Sequence, residues 1–282
     1  MVEQRQGRKG GAVVVSAAVL GAFAVTGCAG GDGASGQAVA DDRPSSRAVS
    51  DRAVLTAADA LVAAGSARAR TSMETASGGT RVTIQGEGGY DFRRVVGQLT
   101  VVLPRDPAGA EEHRPVTELM TPDALYMKNR GAGVPADKWV RIDTATVQDG
   151  NLVTGGATDP LAAAELLRGA REVSYVGSER VEGVSVQHFR GRTDIAEAAR
   201  AARSPVRTAL EAAAKGFTTV TVPFDAYVDE EGRLRKVKHR FSFSNGRTTV
   251  AVTSTTVLFD FGAPVAVRLP DQRDIYAGRI RA

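Results

Sequence analysis

Beyond residue 50, apolar and polar positions alternate or recur in a way that divides the chain into short elements. Val54, Leu55, Ala58, Leu61 and Val62 recur at helical spacing and predict a helix over 51–69, with Ser50 or Asp51 as its cap. Strand character follows: 81–84 alternates, the glycines of 86–89 loosen the chain, and 90–102 supplies further strands. Residues 116–120, 124–128 and 139–142 are short enough to be successive strands of a meander, separated by Thr121-Pro122-Asp123 and a loop over 129–137. Asp159-Pro160 places a capping residue before Pro at the first helical position, and Gly169 closes the helix that carries Leu161, Leu166 and Leu167. Residues 173–176 and 184–190 return to strand. The Ala-rich stretch 194–215 predicts helix in two pieces, because Ser204-Pro205 breaks it.

The clearest sheet signal lies in the last third. Val220, Val222, Phe224, Ala226 and Val228 alternate with polar positions, a turn at 229–232 follows, and Val237, His239, Phe241 and Phe243 then oppose Lys236, Lys238, Arg240 and Ser242. Asn245-Gly246 makes a hairpin turn into a strand over 248–261. Long antiparallel strands of this kind coil. The expected fold is therefore α+β: one curved antiparallel sheet, a half-barrel, with three or four helices on its concave face.

The first 50 residues carry a different pattern. Basic Arg5, Arg8 and Lys9 precede an apolar run over 12–25 and a small residue, which reads as a signal peptide over 1–27. The run falls short of the roughly 20 residues that span a bilayer. Val25-Thr26-Gly27-Cys28 fits a bacterial lipobox, in which the Cys thiol accepts a diacylglycerol before cleavage on its N-terminal side. Cys28 is the only cysteine, so a disulfide within the chain and a thiolate metal cluster are both excluded. Residues 28–50 are rich in Gly, Ala, Ser and Asp, and read as a flexible tether reaching about 25 Å. Residues 51–270 form the folded domain and 271–282 a tail whose role the pattern leaves open. The expected location is the outer face of the cytoplasmic membrane, held by the N-terminal diacylglycerol.

Net charge changes little in this picture. It is only +4, with the basic residues scattered, which argues against nucleic acid as a partner. The densest basic cluster is Arg233, Arg235, Lys236, Lys238 and Arg240. Lys236, Lys238 and Arg240 share the outer face of their strand, either as a solvated face or as a contact for anionic headgroups.

The order of these segments resembles a family. Gly88-Gly89-Tyr90-Asp91-Phe92, Leu125-Tyr126-Met127-Lys128, Trp139-Val140-Arg141-Ile142-Asp143, Asp159-Pro160-Leu161, Tyr227-Val228-Asp229 and Asp260-Phe261-Gly262-Ala263-Pro264-Val265, behind a lipobox, are similar to the LppX/LprAFG group of actinobacterial envelope lipoproteins. The resemblance implies a LolA-like half-barrel whose apolar cavity receives the acyl chains of lipids or glycolipids. Val220, Val222, Phe224, Val237, Phe241 and Phe243 are then the candidate lining, although periodicity alone does not separate a cavity wall from plain core. The low aromatic content, 5%, implies a smaller or shallower cavity than in glycolipid carriers.

Signs of catalysis are sparse. His113, His188 and His239 have no zinc-ligand spacing, and His239 reads as a hydrogen-bonded core histidine. Glu111-Glu112 and Glu230-Glu231 are adjacent, so their side chains diverge. No Gly-Gly pair opens a phosphate loop, and no G-x-S-x-G elbow occurs. The expectation is a non-catalytic, cofactor-free binder of a lipid or acylated amphiphile. Its alternatives are a binding or signalling module with a filled core and no cavity, whose sheet face or loops recognise an envelope protein, and a hydrolase, which would need two or more histidines to converge on a carboxylate or hydroxyl in a cleft.

Overall fold

The computed structural model describes residues 46–104, 114–131, 133–153, 157–217, 219–245 and 248–278. Among them the first meander comprises β1 (Ser66–Ser77), β2 (Thr80–Asp91), β3 (Val96–Val102), β4 (Val116–Met120), β5 (Ala124–Lys128) and β6 (Trp139–Asp143). The second comprises β7 (Ala170–Val181), β8 (Val184–Asp194), β9 (Thr221–Val228), β10 (Leu234–Asn245) and β11 (Thr248–Phe259). Every neighbouring pair is antiparallel, and β1 beside β11 joins the meanders into one sheet of order β6-β5-β4-β3-β2-β1-β11-β10-β9-β8-β7. The sheet is curved and not closed, a half-barrel with helices, as the alternation predicts.

The helices are α1 (Ser46–Leu55), α2 (Ala57–Ala64), α3 (Pro160–Glu165), α4 (Ile195–Ala201) and α5 (Ser204–Gly216), one more than expected. The extra one arises because the helix predicted over 51–69 breaks at Thr56, whose hydroxyl bonds the Arg52 carbonyl, and then stops at Gly65. Gly65 takes φ +88°, a left-handed conformation that glycine adopts without steric cost, and turns the chain into β1. Ser50 and Asp51 consequently lie inside α1 rather than capping it. Asp159 does cap α3, accepting from the Leu161 and Ala162 amides, and Pro205 sits in the first turn of α5 after a break at 202–203.

Residues opposite one another in register share a face, so the two faces follow from pairing. The core face is built from Ala67, Ala69, Thr71 and Met73 on β1, with Leu99, Phe224, Val237 and Phe241 farther out, and the buried sides of α2 to α5 pack on it. Residues 86–89 belong to the unbroken strand β2 instead of loosening it. A Cβ at Gly88 would land on the Gln98 carbonyl of β3, so glycine permits that close pairing.

The outer face has a smaller core of its own. Register aligns Arg70, Val257, Lys236, Tyr227 and His188 in one row across five strands. The β7–β8 hairpin leans over this row, burying Val181 and Val186 on Tyr227 and Val257. Its turn residue Glu182 reaches Arg70 at 3.1 Å, although three strands separate β8 from β1 in the sheet. Beyond β11 the chain returns to the other edge, where the Tyr276 amide donates to the Trp139 carbonyl of β6.

Candidate functional site

Four of the six proposed lining residues come together on the core face. Val222, Phe224, Val237 and Phe241 are buried there, with Phe217 at the end of α5 stacked on Phe241 at 5.3 Å between ring centroids. Val220 does not join them. It precedes β9 and remains 40% exposed, because its carbonyl is turned to the Ile195 amide at the start of α4. Phe243 pairs with Val250 in the β10–β11 register, and its side chain lies outside the described residues.

Polar groups are set into this apolar bed. His239 is 1% exposed, flanked by Phe224 and Phe241 with centroids at 6.4 and 5.9 Å, and its Nε2 has no hydrogen-bond partner. The expected core histidine is thus present without a partner at that nitrogen. Burial pulls its pKa down to about 3. The Thr71 and Thr256 hydroxyls, opposite each other on β1 and β11, also lack partners.

Glu118 on β4 is the sharpest case. It is 0% exposed, neither carboxylate oxygen has a partner, and burial raises its pKa to about 8. Sequence reading missed it, although Val116-Thr-Glu118-Leu-Met120 places Glu118 on the apolar parity of its strand. Buried Tyr90 and half-buried Asp159 satisfy each other: the Tyr90 hydroxyl donates to Asp159 Oδ2 at 2.7 Å.

His239 carries a sign-specific prediction. Its stabilising neutrality is complete above pH 6.5 and is lost as pH falls toward 3, because the unfolded chain takes up the proton first. His239→Phe should remove this acid sensitivity, gaining about 3 kcal/mol at pH 4 relative to its effect at pH 7. Urea unfolding at both pH values checks it, and equal effects at the two would contradict it.

Space between sheet and helices is small. A pocket lined by Met120, Leu125, Asp159, Ala162, Val206 and Ala209 holds about 30 Å³. That suits a water molecule or two, against several hundred Å³ for a typical ligand site. The helical layer is fastened by charge. Arg168 bonds both oxygens of Asp59 on α2, at 2.7 and 3.2 Å, and also the wholly buried carboxylate of Glu165 on α3. Arg203 before α5 adds a 2.6 Å bond to Asp59. The Arg168 hydrogen bond is the main reason that the Asp59 pKa falls to about 2.

The outer basic residues are largely engaged at home. Arg240 Nη2 donates to Asp225 at 2.6 Å, and Lys236 Nζ lies 4.7 Å above the Tyr227 ring. Lys238 stands opposite Asp225 in register. Asp225 also accepts from His188 Nε2 at 2.8 Å and from Arg190 at 3.0 Å, so its pKa is held near about 2 against the upward pull of burial. His188 Nδ1 lies 2.8 Å from Glu179, off the direction of a good hydrogen bond. Sequence spacing gives no hint of this cluster, since its members come from β7, β8, β9 and β10.

His188 and His239 occupy opposite faces and do not converge, and His113 lies outside the described residues, as do Glu111 and Glu112. Among the described residues no three His, Cys, Asp or Glu side chains gather to hold a metal ion. No helix among them is long and apolar enough to cross a membrane. Val25, Thr26, Gly27 and Cys28 lie outside the described residues.

No family model matches the chain, and no curated protein matches it. Several solved structures are similar in fold. LprF from Mycobacterium bovis is 12% identical, the match covering 79% of this chain and 97% of that one at a TM-score of 0.40. Lipoprotein LppX from Mycobacterium tuberculosis is 13% identical over 78% of this chain and 100% of its own, with a TM-score of 0.43. A LolA superfamily protein from Nitrosomonas europaea is 12% identical over 80% and 97%, with a TM-score of 0.32.

Proposed function

We infer that this chain is a lipid-anchored envelope protein whose concave face takes up the acyl part of a lipid or glycolipid. One observation carries the reading: Thr71, Glu118, His239 and Thr256 all place buried polar atoms without partners on the concave face. A passive core would not keep such groups, since each costs about 1–3 kcal/mol when left unpaired. A surface that is uncovered and meets a ligand has a use for them.

The enclosed volume fits a closed, unloaded form. Uptake would require the helices to move off the sheet. Their contact surface mixes alanines such as Ala162, Ala163, Ala198 and Ala213 with the larger Leu61, Leu161 and Leu210, so bound acyl chains would have to offset the apolar area that lifting exposes. Apolar area on Val222, Phe224, Val237 and Phe241 would then supply most of the affinity, at about 25 cal/mol per Å² covered.

Anchoring is a separate part of the reading. Diacylglycerol on Cys28 would hold the chain at the outer face of the cytoplasmic membrane, and the tether over 28–50 would keep the half-barrel within reach of that surface. The basic residues of β10 contribute little to membrane contact, because Arg240 and Lys236 already have partners.

A second reading is favoured by the pocket of only about 30 Å³: a module with a filled core that binds an envelope protein through its outer face or loops. Native mass spectrometry of the full chain extracted from membranes separates the two. The carrier reading predicts a noncovalent adduct of lipid mass, beyond the N-terminal modification, that organic extraction removes. A spectrum without such an adduct, unchanged after incubation with envelope lipids, would sink it in favour of the protein-binding module.

A further inference from the structure

We propose that Glu118 is a specificity-determining residue, which hydrogen-bonds a neutral hydroxyl or amide group carried by the amphiphile that the concave face admits. The proposal rests on the lipid-binding reading and adds the chemistry of the ligand.

Glu118 has no internal reason to be acidic. Its register neighbours on the same face are Leu99 of β3 and Met127 of β5, both buried and apolar, and Val116 and Met120 flank it along β4. The nearest cation in register, Lys128, stands opposite Thr117 and therefore belongs to the other face. A leucine would complete this wall, whereas the carboxyl leaves two oxygens dry.

The surroundings select the class of ligand. A carboxyl kept protonated by burial both donates and accepts, which matches a hydroxyl or an amide. Among the described residues Glu118 has no cation beside it in register to pair with a phosphate or carboxylate. Thr71 on β1 and Thr256 on β11 form a second polar spot three and four strand spacings from β4, roughly 14 to 19 Å across the sheet. Between the rows of Thr71 and Glu118 this face carries Gly86 and Gly88 on β2 and Val101 and Leu99 on β3, so a chain lying across these strands would find polar contacts at both ends of an apolar stretch.

The test compares paired probes on the full chain. Monoacylglycerols of octadecanoic acid and of a series of its mid-chain hydroxy derivatives are titrated into wild type, Glu118→Leu and Glu118→Gln. Wild type should prefer at least one hydroxylated probe by about tenfold to a hundredfold. Glu118→Leu should lose that preference while keeping the plain probe, and Glu118→Gln, which still donates and accepts, should keep most of it. Equal affinity of wild type for all probes, or a preference that survives in Glu118→Leu, would overturn the assignment and leave lipid binding standing. Failure of every probe to bind any of the three proteins would overturn both.

Discussion

Glu118→Leu should raise stability by about 3 kcal/mol at pH 7 and flatten the decline of stability with rising pH. The folded chain holds the Glu118 proton up to about pH 8, whereas the unfolded chain releases it near the ordinary value of 4.5. Unfolding therefore releases a proton between these limits, and each pH unit there lowers the Glu118 contribution to stability by about 1.4 kcal/mol. His239 acts with the opposite sign below pH 6.5. These two groups alone predict a plateau of stability between about pH 4.5 and 6.5, with losses on both sides. Denaturant midpoints of wild type and Glu118→Leu from pH 5 to pH 8 decide the matter. Parallel curves would mean that Glu118 finds a partner or solvent in the folded state.

Arg168→Ala should be among the most damaging single changes, costing about 3–5 kcal/mol and lowering Tm by about 10 °C. The loss does not come from surface ion pairing, which is weak. It comes from Glu165, whose side chain is 0% exposed and would be left with Arg203 as its ion-pair partner, at 3.7 Å. Loss of the bidentate bond to Asp59 also unfastens α2 from α3. Arg168→Lys should recover only part of the stability, because an ammonium cannot span both carboxylates as the guanidinium fork does. A Tm within about 2 °C of wild type for Arg168→Ala would show that the fastening carries no weight. If the helices must lift for uptake, the same variant should also load lipid faster despite being less stable.

Much of the sheet was legible because strand alternation and turn chemistry agree. Residues 116–120, 124–128 and 139–142, the Asp159-Pro160 cap, the two-piece helix around Pro205 and the pairing of β10 with β11 all read from local signals that tertiary packing did not override. The start of β1 read as helix because Ala67, Arg68 and Ala69 are good helix formers, and only pairing with β2 and β11 makes them strand. The glycines of β2 suggested a loose chain for a similar reason: their use, close approach to β3, is visible only in register.

The candidate site was legible in part. Val222, Phe224, Val237 and Phe241 followed from period-two alternation, whereas Val220 fell outside the strand once α4 drew its carbonyl away. Glu118 carried the same parity signal as its apolar neighbours, and its polarity concealed it from a search for hydrophobic faces. The His188, Asp225 and Glu179 cluster depends on a hairpin folding across the outer face, which no local pattern encodes.

The most direct measurement is photolabelling of the full chain with a lipid carrying a photoactivatable group along its acyl chain, followed by identification of the labelled peptides. The lipid-binding account predicts label on β4, β9 and β10, at or beside Glu118, Phe224 and Phe241, competed by unlabelled lipid. Label confined to the outer face or the tether, or label that competition does not reduce, would contradict it.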